Sequence, residues 1–334
     1  MRRVKIAAIG TEHDHASPVI YSLKKLTDVF ELVGYCNPEK LNENEKSQSK
    51  FYESIHKLTL DEIWSIPDIE AVAVETNEKS LSRYALEAVK RGFHVHMDKP
   101  GGESLEEFTE LIDTVKKNNL VFHTGYMYRY NPAVIRALEI AKNGALGEIY
   151  SVETHMNCEH TLEKRQWLKQ YKGGMMFFLG CHLIDLIYMF MGQPEEVIPL
   201  NTSTGYEGVD SEDFGMAVLK YKNGVSFAKT CDVEAGGFLR RQLVVCGTKG
   251  TLEINPIENI SPKDEGRNLI VSLRETYADG RWTNPGTITD YPEFDRYDNM
   301  MKSFASMVRG EKKNPYTPDY ELETYKLVLK ACGY

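Results

Sequence analysis

The run Val4-Lys5-Ile6-Ala7-Ala8-Ile9 followed by Gly10-Thr11-Glu12-His13-Asp14-His15-Ala16 decides the fold. A short, mostly apolar stretch stops at a glycine, turns, and passes into a helical pattern. That is the opening of a sheet whose helices lie on its faces. Further along, Leu32–Cys36, Ala71–Thr76, Phe93–Met97 and Leu120–Thr124 repeat the short apolar run, with helical periodicity between them. A helix beginning near Leu81 ends at Gly92 as its C-cap residue. Ser104 with Glu107 predicts a capping box, and Leu105, Phe108, Leu111, Ile112 and Val115 then line one helix face. Residues 1–124 therefore predict a doubly wound parallel sheet.

From about Gly147 the pattern changes. A strand-like stretch, Glu148–Met156, and a helix near Leu183–Met191 give way to hairpins. Asn223-Gly224 divides the alternating runs Ala217–Tyr221 and Val225–Lys229, Asp279-Gly280 divides a second pair, and Gly247–Gly250 a third. Residues 125–334 thus predict an α+β domain with a large, open, mostly antiparallel sheet, one face covered by helices and the other free for a second subunit. Thr317-Pro318 starts the last helix, with Thr as N-cap and Pro in the first turn.

Composition bounds the function. At 334 residues the chain exceeds one usual core, so two domains are the expectation. The 42% hydrophobic and 27% charged content is that of a folded protein, and the net charge of -9 with no Lys/Arg block excludes a nucleic-acid partner. The six cysteines form no C-x-x-C pair, so they read as reduced core residues. The first apolar run is too short for a signal peptide or a membrane span, which makes the cytoplasm the expected compartment.

A Rossmann domain holds a pyrophosphate on a glycine-rich turn after its first strand, against a helix N-terminus. Here Gly10 keeps the first glycine of G-x-G-x-x-G, while Glu12 and His15 occupy the places of the other two. A carboxylate beside a pyrophosphate repels it unless Glu12 turns outward and His13 or a backbone N–H makes the contact. Asn37 stands where the ribose-binding acid is usual; it can bond a ribose hydroxyl without repelling a 2′-phosphate, which leaves NAD and NADP both open. The candidate cofactor-binding residues are Gly10, Thr11, Glu12, His13, Asn37, Thr76, Asn77, Asp98 and Lys99. No metal is expected: the i, i+2 spacing of His13 and His15 on a tight turn is poor for two ligands of one ion. His94 and His96, on one face of a buried strand, read as structural.

Five segments carry a resemblance. Phe93-His94-Val95-His96-Met97-Asp98-Lys99-Pro100 resembles the strand and E-K-P motif of the glucose-fructose oxidoreductase, inositol dehydrogenase and MocA (Gfo/Idh/MocA) oxidoreductases, with Asp98 in place of Glu. Gly125-Tyr126-Met127-Tyr128-Arg129-Tyr130-Asn131-Pro132 is similar to that family's linker into the second domain, and Gly144-Ala145-Leu146-Gly147-Glu148-Ile149 to its G-x-[IL]-G-x-[IV] step. Trp167, Gly173-Gly174 and Gly180-Cys181-His182-Leu183-Ile184-Asp185 resemble its W…GG…D-x-G-x-H-x-x-D segment, and Gly247–Glu253 follows in order.

The resemblance implies a nicotinamide-dependent enzyme using NAD or NADP on a secondary alcohol of a sugar, polyol or related carbohydrate, with Lys99 and His182 as catalytic residues. An imidazole suits the hydroxyl proton near neutrality, and a lysine suits the developing alkoxide. The family's acid four residues before the histidine is here Phe178. That leaves Asp185 to orient the imidazole or bind a hydroxyl, or Phe178 to stack under a sugar ring. His155 and Asn157, alternating along a strand, are further substrate candidates. Arg129 reaches substrate or cofactor, or pairs with a carboxylate. Two other functions stay open: a lyase or epimerase that uses bound NAD transiently, and a redox-inactive metabolite-binding protein. A homo-oligomer, dimer or tetramer, is expected through the open sheet face, which 19 tyrosines could help supply.

Overall fold

The computed structural model describes residues 2–39, 50–262 and 268–334. Contacts divide the chain into two units, Met1–Met127 with Tyr297–Tyr325, and Tyr128–Arg296 with Lys326–Tyr334. This differs from a single cut between residues 124 and 125, because a late segment belongs with the first unit.

Unit 1 begins with β1 (Val4–Ile9), α1 (Ala16–Lys25), β2 (Phe30–Cys36), α2 (Leu60–Ser65), β3 (Ala71–Val74), α3 (Leu81–Lys90), β4 (His94–Met97), α4 (Leu105–Asn118) and β5 (Phe122–Thr124). All four strand pairings are parallel, in the order β2-β1-β3-β4-β5. Val4, Ile6, Ala7, Ile9 and all of Ala71–Val74 are fully buried, as a sheet covered on both faces requires. The chain order reverses between β1 and β3, so the carboxyl ends of these strands form the switch point where such sheets bind ligands. β3 stops at Val74, two residues earlier than its apolar run predicts, and releases Glu75 and Thr76 to that edge. Ser104 caps α4 by accepting from the Glu107 amide.

Unit 2 contains α5 (Pro132–Lys142), β6 (Ile149–Asn157), α6 (Leu162–Trp167), α7 (Cys181–Met191), β7 (Glu196–Pro199), β8 (Phe214–Tyr221), β9 (Gly224–Cys231), β10 (Gln242–Gly247), β11 (Gly250–Ile254), β12 (Asn259–Ile260), β13 (Asn268–Ile270), β14 (Ser272–Tyr277), β15 (Thr287–Asp290) and β16 (Phe294–Asp295). Eight strands run in the order β15-β14-β11-β10-β6-β9-β8-β7, and β12, β13 and β16 form a small separate sheet. Only β6 and β9 pair in parallel within the large sheet. The alternation of half-buried and buried positions along Phe214–Leu219 of β8 and along β10 follows from one face packing inward while the other stays accessible. The expected tight turn at Asp279-Gly280 is instead a longer connection between β14 and β15. Asp279 there holds the Arg281 amide and guanidinium, and Asn284 donates to the Tyr277 carbonyl.

The chain then adds α8 (Asp298–Val308) and α9 (Pro318–Ala331). Within unit 1, Asp298 accepts from Ser22 of α1 at 2.9 Å and pairs with Lys25, while the Tyr325 hydroxyl donates to Gly102 O at 2.9 Å. Among the described residues no helix is long and apolar enough to cross a membrane.

Candidate active site

The β1 turn is shaped by Gly10. Its φ is +94°, and a Cβ there would lie 2.4 Å from the Thr76 amide nitrogen, so only glycine lets the turn rest on the end of β3. Thr11, Glu12 and His13 are consequently buried. The Glu12 carboxylate curls back to accept the Thr11 N–H at 2.9 Å, and Asn37 donates to Thr11 Oγ1 at 3.1 Å. Burial pushes the Glu12 carboxyl up, against the backbone N–H groups that lower it. Asn77 accepts from the Lys79 amide at 3.0 Å and meets Glu39, an acid two residues past Asn37 that the sequence reading did not select. Strand order, the close approach at Gly10, and Asn37, Thr76 and Asn77 along the edge fit a dinucleotide. Glu12 is the departure, since it covers one of the amides that a diphosphate would use.

Beside this turn the ends of β3 and β4 gather acids and imidazoles. His13 Nε2 donates to the Lys99 carbonyl at 3.0 Å, and its Nδ1 accepts from the His15 amide at 3.1 Å. His15 Nδ1 donates to Asp98 at 3.1 Å, and the Lys99 amide donates to the same carboxylate at 2.7 Å. His13 Nδ1 also stands 3.6 Å from Asp98 Oδ2 and 3.9 Å from Glu75 Oε2. His96 Nε2 faces Glu75 Oε1 at 3.6 Å, and its Nδ1 shares a hydrogen bond of 2.8 Å with His123. Lys99 itself is fully buried.

Electrostatics separates the two carboxyls. Burial, then the neighbouring Asp98 charge, pushes Glu75 well above the usual carboxylate range. Burial would raise Asp98 too, but His13, His15 and the Lys99 ammonium hold it well below that range. A neutral acid and an ionised one thus sit side by side. Burial also pushes His13 down to about 3 and His96 to about 4, with Asp98 opposing both.

In unit 2 the Arg129 guanidinium grips Asp185, with Nε at 3.0 Å from both oxygens and Nη2 at 2.7 Å from Oδ1, all buried. This is the carboxylate-pairing alternative for Arg129, and it engages both oxygens of Asp185. His182, buried at the start of α7, meets Tyr128 edge-on at 5.2 Å. Phe178 does not lie one α-turn below His182, because Met176–Gly180 forms a widened π-helical turn that shifts the phase. Phe178 is 3% exposed, its ring set edge-on to Trp167 at 5.4 Å and under the Lys164 ammonium. His155 is half-buried beside Phe227, and burial followed by Lys229 and Arg240 lowers its pKa. Asn157 is fully buried, and neither polar atom of its side-chain amide has a hydrogen bond. A neighbouring Cys158–His160–Asp232 series, absent from the sequence reading, has its thiol 3.4 Å from the imidazole. Burial pushes that thiol up to about 12, the opposite of what a nucleophile needs.

Residues 4–126 match the family profile of the oxidoreductase family with an NAD-binding Rossmann fold, and residues 134–253 that of the GFO/IDH/MocA C-terminal domain. An uncharacterised oxidoreductase of Schizosaccharomyces pombe is 26% identical over 306 residues, 86% of this chain and 81% of its own length. A D-xylose 1-dehydrogenase (NADP(+)) of Haloferax volcanii is 27% identical, over 73% of this chain and 70% of its own. Among solved structures, KijD10, a 3-ketoreductase from Actinomadura kijaniata in complex with NADP and TDP-benzene, superposes with a TM-score of 0.78 at 16% identity, covering 98% of this chain and 96% of that one. The chain belongs to the Gfo/Idh/MocA oxidoreductase family, with that family's NAD(P)-binding Rossmann domain in unit 1.

Proposed function

We propose that the protein is an NAD(P)-dependent oxidoreductase interconverting a secondary alcohol and a ketone on a sugar, polyol or related carbohydrate, with Lys99 and His182 as catalytic residues. The observation that carries this reading is the setting of Lys99 at the carboxyl end of β4. Its side chain is fully buried, its amide is fixed by Asp98 and its carbonyl by His13. A cation anchored on both sides at the ligand edge of a parallel sheet is prepared to hold one oxygen in place.

The nicotinamide, when bound, supplies or receives the hydride. Lys99 holds the substrate oxygen and stabilises its alkoxide character, and His182 takes the hydroxyl proton in oxidation and returns it in reduction. Asn157 offers a donor and an acceptor to a neighbouring hydroxyl, and His155 a second polar contact. Gly10, Thr11, His13, Asn37, Thr76 and Asn77 hold the cofactor. The sugar specificity named for the Haloferax relative supports the substrate class. Self-association through the accessible face of the large sheet, where Met216, Val218 and Phe227 are half-buried, and a cytoplasmic location complete the proposal.

Fluorescence titration with NADH and NADPH, followed by a panel of sugars and polyols read by nicotinamide absorbance, tests it. Lys99→Ala and His182→Asn are expected to lower kcat/KM by about 10²–10⁴ while cofactor affinity changes only a few-fold. A folded protein that binds neither nucleotide at millimolar concentration overturns the reading. Sedimentation at the monomer mass removes the self-association, and recovery in a membrane or secreted fraction removes the cytoplasmic location.

A further inference from the structure

We propose that unit 1 binds one divalent transition-metal ion of the zinc class through His13 Nδ1, His15 Nδ1 and Asp98, with Glu75 as the fourth ligand. The inference is independent of whether the protein turns over a sugar. Donor atoms of His13, His15 and Asp98 all lie within 4.8 Å of one another, and so do those of Glu75, His96 and Asp98. The individual gaps are 3.1 Å from His15 to Asp98, 3.6 Å from His13 to Asp98 and 3.9 Å from His13 to Glu75. Ligands about 2.1 Å from a tetrahedral ion stand about 3.4 Å apart, which the His15–Asp98, His13–Asp98 and His13–Glu75 gaps bracket. The ion replaces two contacts, the His15–Asp98 hydrogen bond and the one that His13 Nδ1 accepts from the His15 amide.

Two further features point to a ligand. Glu75 is 1% exposed, and apart from its interaction with Asp98 neither carboxyl oxygen has a hydrogen bond. They point instead to His13 Nδ1 on one side and to His96 Nε2 on the other, and that nitrogen also has no hydrogen bond. A buried carboxyl left this way costs roughly 1–3 kcal/mol unless something fills the gap. The second feature is His13 itself, whose far nitrogen donates to the Lys99 carbonyl and so turns Nδ1 toward the cluster. An imidazole oriented through its other nitrogen by a backbone carbonyl is the usual support for a metal ligand. Two imidazoles with two carboxylates suit Zn²⁺, Co²⁺ or Fe²⁺ rather than the all-oxygen preference of Mg²⁺ and Ca²⁺. The turn spacing of His13 and His15 argues against a site when judged alone. The carboxylates that complete it arrive from the ends of β3 and β4, sixty or more residues away.

The test uses untagged full-length protein stripped with chelator, then titrated with Zn²⁺ and Co²⁺ by calorimetry and metal analysis, with Mg²⁺ for comparison. The expected result is one equivalent of Zn²⁺ or Co²⁺ per chain, visible Co²⁺ bands of a nitrogen and oxygen site, and a raised Tm. Glu75→Gln and His15→Asn are each expected to weaken affinity at least tenfold, whereas His56→Gln leaves it unchanged. Circular dichroism establishes that each variant is folded, and should one fail to fold, the other decides. No uptake by the folded wild-type protein overturns the proposal. Equal uptake in the Glu75 and His15 variants overturns it as well, because the binding is then adventitious.

Discussion

The polar interiors of the two units are built on opposite terms. In unit 2 two buried charge networks are complete, while Asp232 has neither oxygen hydrogen-bonded: Arg129 donates three hydrogen bonds to Asp185, and Glu258 is held by Tyr128 at 2.7 Å, Arg241 at 2.6 Å and Arg296 at 2.7 Å. In unit 1 the cluster at the strand ends leaves the Glu75 oxygens, apart from their interaction with Asp98, and His96 Nε2 without hydrogen bonds, although imidazoles and acids stand within 4 Å. Completed networks hold a fold, and an incomplete one in a buried place waits for a ligand. The contrast also separates what each unit risks in mutation.

The largest expected effect is in the completed network. Arg129→Leu strands the Asp185 carboxylate and should cost about 3–5 kcal/mol in urea unfolding, while adding Asp185→Leu should restore most of it. A loss under about 1 kcal/mol for the single change would break the contrast. In unit 1 the unfolded imidazoles of His13 and His96 take protons below about pH 6.5, whereas the folded ones do so only near 3 and 4. Stability is therefore fully present above pH 6.5 and is lost as pH falls, by about 4 kcal/mol for the two together at pH 5. Denaturation midpoints from pH 7 to 5 measure this, and replacing both with Gln should flatten the slope. A slope unchanged in that variant would place the acid sensitivity elsewhere.

The smallest effect has the opposite sign. Because Glu75 is forced toward its neutral form by burial and by Asp98, Glu75→Gln should stabilise chelator-treated protein at pH 8 by about 1–2 kcal/mol. The gain should shrink toward pH 4.5, where unfolded Glu75 is itself protonated. Destabilisation at pH 8 would show that the carboxylate is already satisfied.

The parallel sheet was legible because each of its strands is a short apolar run ending in a turn, and period and length are local properties. Lys99 and Asp98 were legible as the end of such a run. Glu75 was hidden by β3 itself: the reading carried the strand through Thr76, and nothing local marks where pairing stops. The Arg129–Asp185 pair joins residues far apart in sequence, so Arg129 could be read as reaching substrate, cofactor or some carboxylate, and not as reaching this one. Phe178 misled because an α-helical phase was assumed across Met176–Gly180, where the turn widens.

One consequence concerns the order in which this molecule is made. Phe304 of α8 is fully buried and lies 5.9 Å from the His96 ring and 5.5 Å from His123, so it forms part of the floor beneath the strand ends of unit 1. Asn314 donates to Phe122 O, and Tyr325 stacks on Phe108 at 4.2 Å. A ribosome releases these residues only after the Tyr128–Arg296 segment of unit 2 has been synthesised. The domain that begins the polypeptide is thus among the last parts to finish folding, and a nascent chain stalled before Tyr297 would carry an uncapped sheet for a chaperone to hold.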